Sequence, residues 1–436
     1  MKSLNNNLEQ CLKCNLCTLV CPMLEVNPAY PGPKKAGPDG ERYRLKDPAY
    51  FDYALKYCLN CKRCEVACPS DVHIGDMIQS ARIEFGSQAK GRGLKGLRDW
   101  TLASTDLVGS LASPVAPIVN GVLSVKPVKS LMHGVLGVDK HRTFPSYTSH
   151  KFVPWFKKQD QSAFDKFVTY FHGCYVNYNH PQLGKDFVKV MNAAGFGVHL
   201  LDKEKCCGVA LMSNGFADKA RRQGSVNLAS MRKAVAAGEP VLTTSSTCTF
   251  TMRDEYPDVL GLDNAYVRDS LMLATRWLHG KMSSGEVKFR FRDDFHLKVV
   301  YHTACHMQKL GWQYYTIELL KSIPGVDLVV LEQNCCGIAG TFGFKRENYG
   351  FSQAIGSKLF DDIRAAVGVP PAAVSHPLDP TTDVVPPLCR GWQWPCGGTP
   401  AVVVATDCET CKWQIEMSTG VPVLNPIEIL ARAIEP

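Results

Sequence analysis

Two cysteine ladders of identical spacing constrain this chain more than anything else in it: CLKCNLCTLVCP from Cys11 to Pro22, and CLNCKRCEVACP from Cys58 to Pro69. Each reads Cys-x-x-Cys-x-x-Cys-x-x-x-Cys-Pro, the run in which three thiolates grip one [4Fe–4S] cube while the fourth crosses to a partner cube. The crossing predicts one cubane on Cys11, Cys14, Cys17 and Cys68 and another on Cys21, Cys58, Cys61 and Cys64. Two-residue gaps let three sulfurs converge on a small cube, and each fourth cysteine is expected to open a helix with Pro22 or Pro69 in its first turn. Tetrahedral zinc is the simpler reading of loose Cys-x-x-Cys pairs. Zinc, however, asks for no third cysteine, fourth cysteine and proline at fixed steps, repeated twice.

The 436 residues are enough for two or three domains, each with its own core. Nineteen cysteines is an odd number, and their clustering suits metal binding better than a disulfide framework. The opening residues MKSLNNNLEQ lack the apolar stretch of a signal peptide, so residence in the cytoplasm is expected. The formal charge of +8 shrinks once each four-thiolate cube adds roughly −2. A mildly basic molecule makes no case for nucleic acid.

The rest of the chain repeats itself. KFVTYFHGC ends at Cys174, VHLLDKEKCCG carries Cys206 and Cys207, and VLTTSSTC ends at Cys248; LKVVYHTAC ends at Cys305, VDLVVLEQNCCG carries Cys335 and Cys336, and AVVVATDCETC carries Cys408 and Cys411. Six apolar, β-branched runs each lead into a cysteine, with helix-like patterns between them over 185–194, 217–237, 314–323 and 352–365. That alternation predicts parallel α/β sheets, whose ligands collect at the carboxyl ends of the strands. Five thiols of the second copy therefore converge, more than one cubane needs. Gly208 and Gly337 follow the vicinal pairs because the chain must turn tightly there.

With these motifs stand longer matches: NPAYPGPKKAGPDGERYRLKD, FHGCYVNYNHPQLGKD, KEKCCGVALMSNGFADKAR, NCCGIAGTFGFKRENY and CETCKWQIEMSTGVPV. Together they resemble the iron–sulfur subunits with CCG domains. That group includes the B subunits of heterodisulfide reductases, the lactate and glycolate oxidase iron–sulfur subunits and, matched most extensively, the C subunits of anaerobic glycerol-3-phosphate dehydrogenases. The resemblance implies an electron-transfer subunit rather than the substrate-oxidising one. Its partners would be flavin-containing A- and B-type subunits that oxidise glycerol 3-phosphate to dihydroxyacetone phosphate. Its acceptor would be menaquinone, and its place the cytoplasmic side of the cell inner membrane, peripherally attached. The resemblance further implies a noncubane [4Fe–4S] cluster on Cys305, Cys335, Cys336, Cys408 and Cys411. In the first repeat Thr251 stands where the fifth cysteine would fall, so Cys174, Cys206, Cys207 and Cys248 form either a reduced cluster site or a redox-silent structural one. The second repeat is longer, with a proline-rich insertion near 367–400 carrying Cys389 and Cys396, which read as loop cysteines rather than ligands. Two other functions fit parts of the pattern: a catalytic subunit resembling heterodisulfide or thiol-disulfide reductases, and the iron–sulfur subunit of a lactate or glycolate oxidase.

Three further features complete the reading. LVGSLASPVAPIVNGVLSV, from Leu107 to Val125, is uncharged and precedes Lys126, Lys129, His133, Lys140, His141 and Arg142. Its prolines and Asn120 argue for broken amphipathic pieces on a membrane or protein surface rather than a span. GRGLKG, from Gly91 to Gly96, lacks the preceding strand of a nucleotide-binding turn. His172, His302 and His306 flank cluster cysteines, and two readings stand: hydrogen bonds through which they tune potential or carry protons, or the commoner one, expected here, in which local hydrogen bonds satisfy each. The expected fold class is a multidomain α+β and α/β protein: a helix-rich, ferredoxin-like 2×[4Fe–4S] domain over 1–100, a linker over 101–164, and duplicated α/β CCG domains over 165–290 and 291–436.

Overall fold

The computed structural model describes residues 8–50, 52–85, 93–368 and 402–435. The proline-rich stretch with Cys389 and Cys396, and part of GRGLKG, lie outside the described residues. Each of the six cysteine-terminated runs forms a strand. The first sheet holds β1 (Phe167–Phe171), β2 (Gly197–Leu200), β3 (Val241–Thr243) and a short β4 (Leu271–Leu273); the second holds β5 (Leu297–Tyr301), β6 (Val326–Val330), β7 (Val402–Ala405) and a short β8 (Val423–Leu424). Both sheets are wholly parallel, in the orders β2-β1-β3-β4 and β6-β5-β7-β8. The chain reverses its winding between β1 and β3 and again between β5 and β7. Such a switch point opens a crevice beyond the strand ends, and the cysteines follow those ends.

Helices cover the sheets as the apolar periodicity requires. Pro181–Ala193 and Ala217–Ala236 link the strands of the first sheet, and Gln313–Lys321 and Arg346–Val367 those of the second. Pro181 sits at a helix start, where its missing N–H costs nothing. Gly368, with φ of 79°, ends the longest helix in the left-handed conformation glycine tolerates.

The two repeats share one core. Phe187 and Val190 of the first repeat pack in the same buried cluster as Ile427 and Leu430 from the helix Pro426–Ala433 of the second. Each such side chain contributes about 1.5–3 kcal/mol by leaving water. His180 Nε2 meets Glu428 Oε1 at 2.7 Å, and Lys189 Nζ donates to the Ala431 carbonyl at 2.7 Å, which fixes the register of that helix against the first repeat.

Among the described residues, 8–135 contain helices and no strand. The ladders lie among short helices, Leu16–Leu19, Pro22–Val26 and Arg63–Val66. Cys21 caps the helix that Pro22 opens, as the spacing predicts. Pro69 opens none: the chain turns, Asp71 takes φ of 47°, and the next helix begins only at Ile74. A left-handed residue two positions after the proline breaks the helical path that Pro22 starts. The middle segment is a succession of helices, Leu94–Ala103, Thr105–Ala112, Ala116–Ser124 and Lys126–Val135, with a tighter 3₁₀ turn at Ser113–Val115 around Pro114.

Candidate metal centres

Left-handed backbone at non-glycine residues shapes both ladders. Lys13 and Asn15 in the first, and Asn60 and Lys62 in the second, have φ between 54° and 67°. These turns between the cysteines swing successive thiols toward a common point. The result is two hollows: one bounded by Cys11, Cys14, Cys17 and Cys68, the other by Cys21, Cys58, Cys61 and Cys64. Each fourth cysteine thus faces the other ladder's three. Burial, followed by the neighbouring Cys61 thiol, pushes Cys21 up to about 12. Four thiols in such a hollow cannot ionise together unaided, and a cationic metal centre is what makes thiolates of them. The donor set, all sulfur and four to a hollow, fits iron–sulfur cubes.

The second ladder is embedded in a buried ionic network. Lys62, between Cys61 and Cys64, is fully buried and pairs with Asp76, with Glu65 at 3.4 Å and with Glu255 at 4.0 Å. Asn60 Nδ2 donates to Glu255 Oε1 at 2.6 Å, and Lys309 reaches Glu65 at 3.1 Å. Into the same network runs Thr251, whose hydroxyl donates to Glu255 Oε2 at 2.8 Å. The residue in the fifth-cysteine place thus anchors Glu255, which in turn holds the second ladder to the first repeat. No local signal in the sequence marks Glu255, since Asn60 and Glu255 are 195 positions apart.

In the second repeat Cys305 starts a helix after β5, Cys335 and Cys336 follow β6, and Cys408 caps the helix Glu409–Thr419 with Cys411 one turn in. Cys336 Sγ lies 3.3 Å from Cys411 Sγ. Cys335 hydrogen-bonds both Cys305 and Cys336, and hydrogen bonding from Cys411 draws the Cys408 thiol down to about 5. Five thiols therefore form one contiguous set. Gly337 has φ of 81°, and a Cβ there would lie 2.0 Å from the Ser352 carbonyl oxygen, so only glycine lets the vicinal pair turn into the site. Cys305 also hydrogen-bonds Cys61, so the second ladder and the second CCG site touch thiol to thiol.

The first repeat gathers four thiols. Cys174 Sγ is 3.8 Å from Cys206 Sγ, and Cys207 hydrogen-bonds both Cys206 and Cys248. Asp106, at the head of the helix Thr105–Ala112, accepts from Cys206 N at 2.7 Å. The two repeats meet at their strand ends, where Ser246 N donates to the Asp407 carbonyl at 2.8 Å and Thr247 Oγ1 lies 3.6 Å from Cys408 Sγ. Of the three flanking histidines, the His172 ring meets the Gly173 carbonyl at 2.8 Å, and His306 bridges the Asn60 carbonyl and Thr247 at 3.1 and 3.3 Å. His302 departs from the expectation of a locally satisfied residue: it is fully buried and neither ring nitrogen has a partner.

The family model for a 4Fe-4S dicluster domain matches residues 7–72, and that for a cysteine-rich CCG domain matches residues 168–253 and 299–374. The chain is 52% identical over 433 residues to the C subunit of the anaerobic glycerol-3-phosphate dehydrogenase of Escherichia coli (strain K12), covering 99% of each. The chain belongs to the family of anaerobic glycerol-3-phosphate dehydrogenase C subunits. More distant relatives of this C subunit include the B subunit of the fumarate reductase (CoM/CoB) of Methanothermobacter marburgensis, 23% identical over 82% of this chain and 64% of the relative. Another is lactate utilization protein A of Anoxybacillus flavithermus, 29% identical over 41% of this chain and 75% of the relative. In this C subunit, Cys11, Cys14, Cys17, Cys21, Cys58, Cys61, Cys64 and Cys68 all lie within the dicluster match, and Cys174 through Cys336 within the two CCG matches.

Proposed function

We propose that the chain is the iron–sulfur electron-transfer subunit of an anaerobic glycerol-3-phosphate dehydrogenase, receiving electrons from flavin-containing A- and B-type subunits and passing them to menaquinone at the cytoplasmic face of the inner membrane. The chain-wide identity to such a subunit supports the system, and the Cys61–Cys305 contact supports the task. Cys11, Cys14, Cys17 and Cys68 would hold one cubane, Cys21, Cys58, Cys61 and Cys64 the second, and Cys305, Cys335, Cys336, Cys408 and Cys411 a noncubane cluster. When bound, such clusters accept and release single electrons at potentials set by charge, hydrogen bonding and burial. The protein's part is to space the thiols, exclude water from the second ladder and bring it against the second CCG site. Substrate oxidation belongs to the partner subunits. The buried hydroxyl of Thr251, spent on Glu255, favours electron transfer over a heterodisulfide-reductase chemistry that would use two complete CCG sites.

The helices of the middle segment support peripheral membrane attachment. Over Thr105–Ser124 the chain is 20 residues long and apolar enough by composition to cross a bilayer. Leu107, Leu111, Val115, Ile118, Val122 and Val125 recur every three or four residues and all stay exposed, Leu111 at 68% and Ile118 at 67%. Lys126, Lys129 and His133 follow at once, cations that suit anionic lipid. A ridge of this kind, apolar on one side and cationic at its end, lies in an interface rather than spanning it.

Iron and sulfide analysis with EPR, on wild type and Cys336→Ser, tests the cluster assignment. About twelve irons are expected, falling to about eight in the variant with loss of one signal; about eight irons in both would remove the cluster from the second CCG site. Menaquinone reduction by the reconstituted complex should fall with that signal. Leu111→Gln with Ile118→Gln should strongly reduce flotation with anionic liposomes, and undiminished flotation would move the attachment surface elsewhere.

A further inference from the structure

The strand ends of the two repeats offer an internal control. His172 is the first residue after β1 and His302 the first after β5, so the duplication places them alike. In the first repeat, Glu204 lies two positions before the vicinal cysteines and fixes the turn at His172: it accepts from the His172 and Gly173 backbone N–H groups at 3.2 and 2.7 Å, while the ring Nδ1 meets the Gly173 carbonyl at 2.8 Å. In the second repeat the matching position is Gln333, and it gives His302 no hydrogen bond. His302 keeps its backbone N–H on the Ala405 carbonyl at 2.9 Å, while both ring nitrogens are buried and unsatisfied.

A buried imidazole with two idle nitrogens is expensive, since each polar atom has given up water for nothing, and native interiors seldom tolerate it. Burial and the nearby Arg63 guanidinium favour the neutral ring, against the opposing pull of the Cys335 thiol. It therefore has one N–H to give. Cys335 belongs to the complete five-thiol site, and Arg63 to the second ladder, so the ring stands where those two centres meet. The repeat with five cysteines leaves its histidine ring unpartnered; the repeat with four gives its histidine ring the Gly173 carbonyl.

We propose that His302 donates its ring N–H to a sulfur of the iron–sulfur cluster on the second CCG site, beside Cys335, as a positioning residue that sets that cluster's potential. The inference rests on the proposed occupancy of that site. An N–H aimed at cluster sulfur favours the reduced, more negative form. Its loss is expected to shift the reduction equilibrium of that one cluster about tenfold toward oxidised, which is about 59 mV downward for a one-electron couple.

The test uses the intact, cluster-loaded chain with ¹⁵N-labelled histidine, examined by EPR-monitored redox titration and pulsed EPR in wild type, His302→Leu and His302→Gln. A histidine nitrogen coupled to the signal that Cys336→Ser abolishes, lost in His302→Leu with a lowered midpoint and partly restored in midpoint by His302→Gln, would support the assignment. Selective loss of that cluster's iron in His302→Leu, recovered in His302→Gln, would also support it. A signal present in wild type and unchanged in coupling and midpoint in His302→Leu would overturn the inference alone. Absence of that signal from wild type would overturn the site's occupancy and the inference together.

Discussion

The two ladders have the same cysteine spacing and opposite surroundings. In the first, Leu12, Lys13, Cys14, Asn15 and Leu16 are all exposed. In the second, the positions matching Lys13 and Asn15 are Asn60 and Lys62, at 6% and 1% exposure, held by Glu255, Glu65 and Asp76. Both pairs adopt left-handed backbone, so the cysteine frame is the same and only its support differs. Spacing fixes which sulfurs can meet. What covers them sets access and potential, and here that is decided by residues far away in sequence. The open ladder presents its cysteine loop to solvent, and the covered one adjoins the second CCG site.

The sharpest way to break this comparison is charge removal at matched positions. Lys62→Met would leave Asp76, Glu65 and Glu255 gathered without their central cation, and is expected to cost about 3–5 kcal/mol, as for other broken buried ion networks. Lys13→Met should cost little, being an exposed position. Denaturation of the loaded protein, followed by the visible absorption of its clusters, measures both; equal losses would mean the two ladders are supported alike. Asn60→Ala should cost less, about 1.5–3 kcal/mol for one hydrogen bond to a carboxylate. In a double-mutant cycle with Glu255→Gln part of that loss should vanish, whereas full additivity would uncouple the pair. The gentlest probe changes no residue: an iron chelator should draw about four irons quickly from the open ladder and the remainder slowly. Release in a single phase would erase the distinction.

Much of the architecture was legible because it rests on short-range rules. Apolar β-branched runs marked the six strands that lead into cysteines, and 3.6-residue periodicity marked helices such as Ala217–Ala236. β4 and β8, at three and two residues, are too short for any period to register, and no cysteine follows them to betray a strand end. That three thiols of each ladder swing together could be read from spacing, because the distances that spacing controls are local ones. The turn after Pro69 could not, since Asp71 is left-handed for reasons no motif encodes. Glu255 and Lys309 were invisible for a different reason: a charge acquires its meaning from its partner, and theirs is Lys62 or Glu65 across domains. His302 was misjudged though the signal was present. Laying one repeat on the other shows Glu204, whose carboxylate fixes the turn at His172 and Gly173, exchanged for Gln333, so the turn at His302 is built differently.

The helix Pro426–Ala433 closing over Pro181–Ala193 has a consequence for how the molecule is made. The ribosome delivers Ile427 and Leu430 roughly 240 residues after Phe187, which at about 5–20 residues per second is a wait on the order of 12–50 s. Through that interval the core shared by the two repeats lacks Ile427 and Leu430, whereas the cluster that holds Cys206 and Cys207 draws only on residues between Ile83 and Leu271. The packing around the first repeat's four thiols can therefore form before that helix emerges, and what the helix closes is the seam between the repeats.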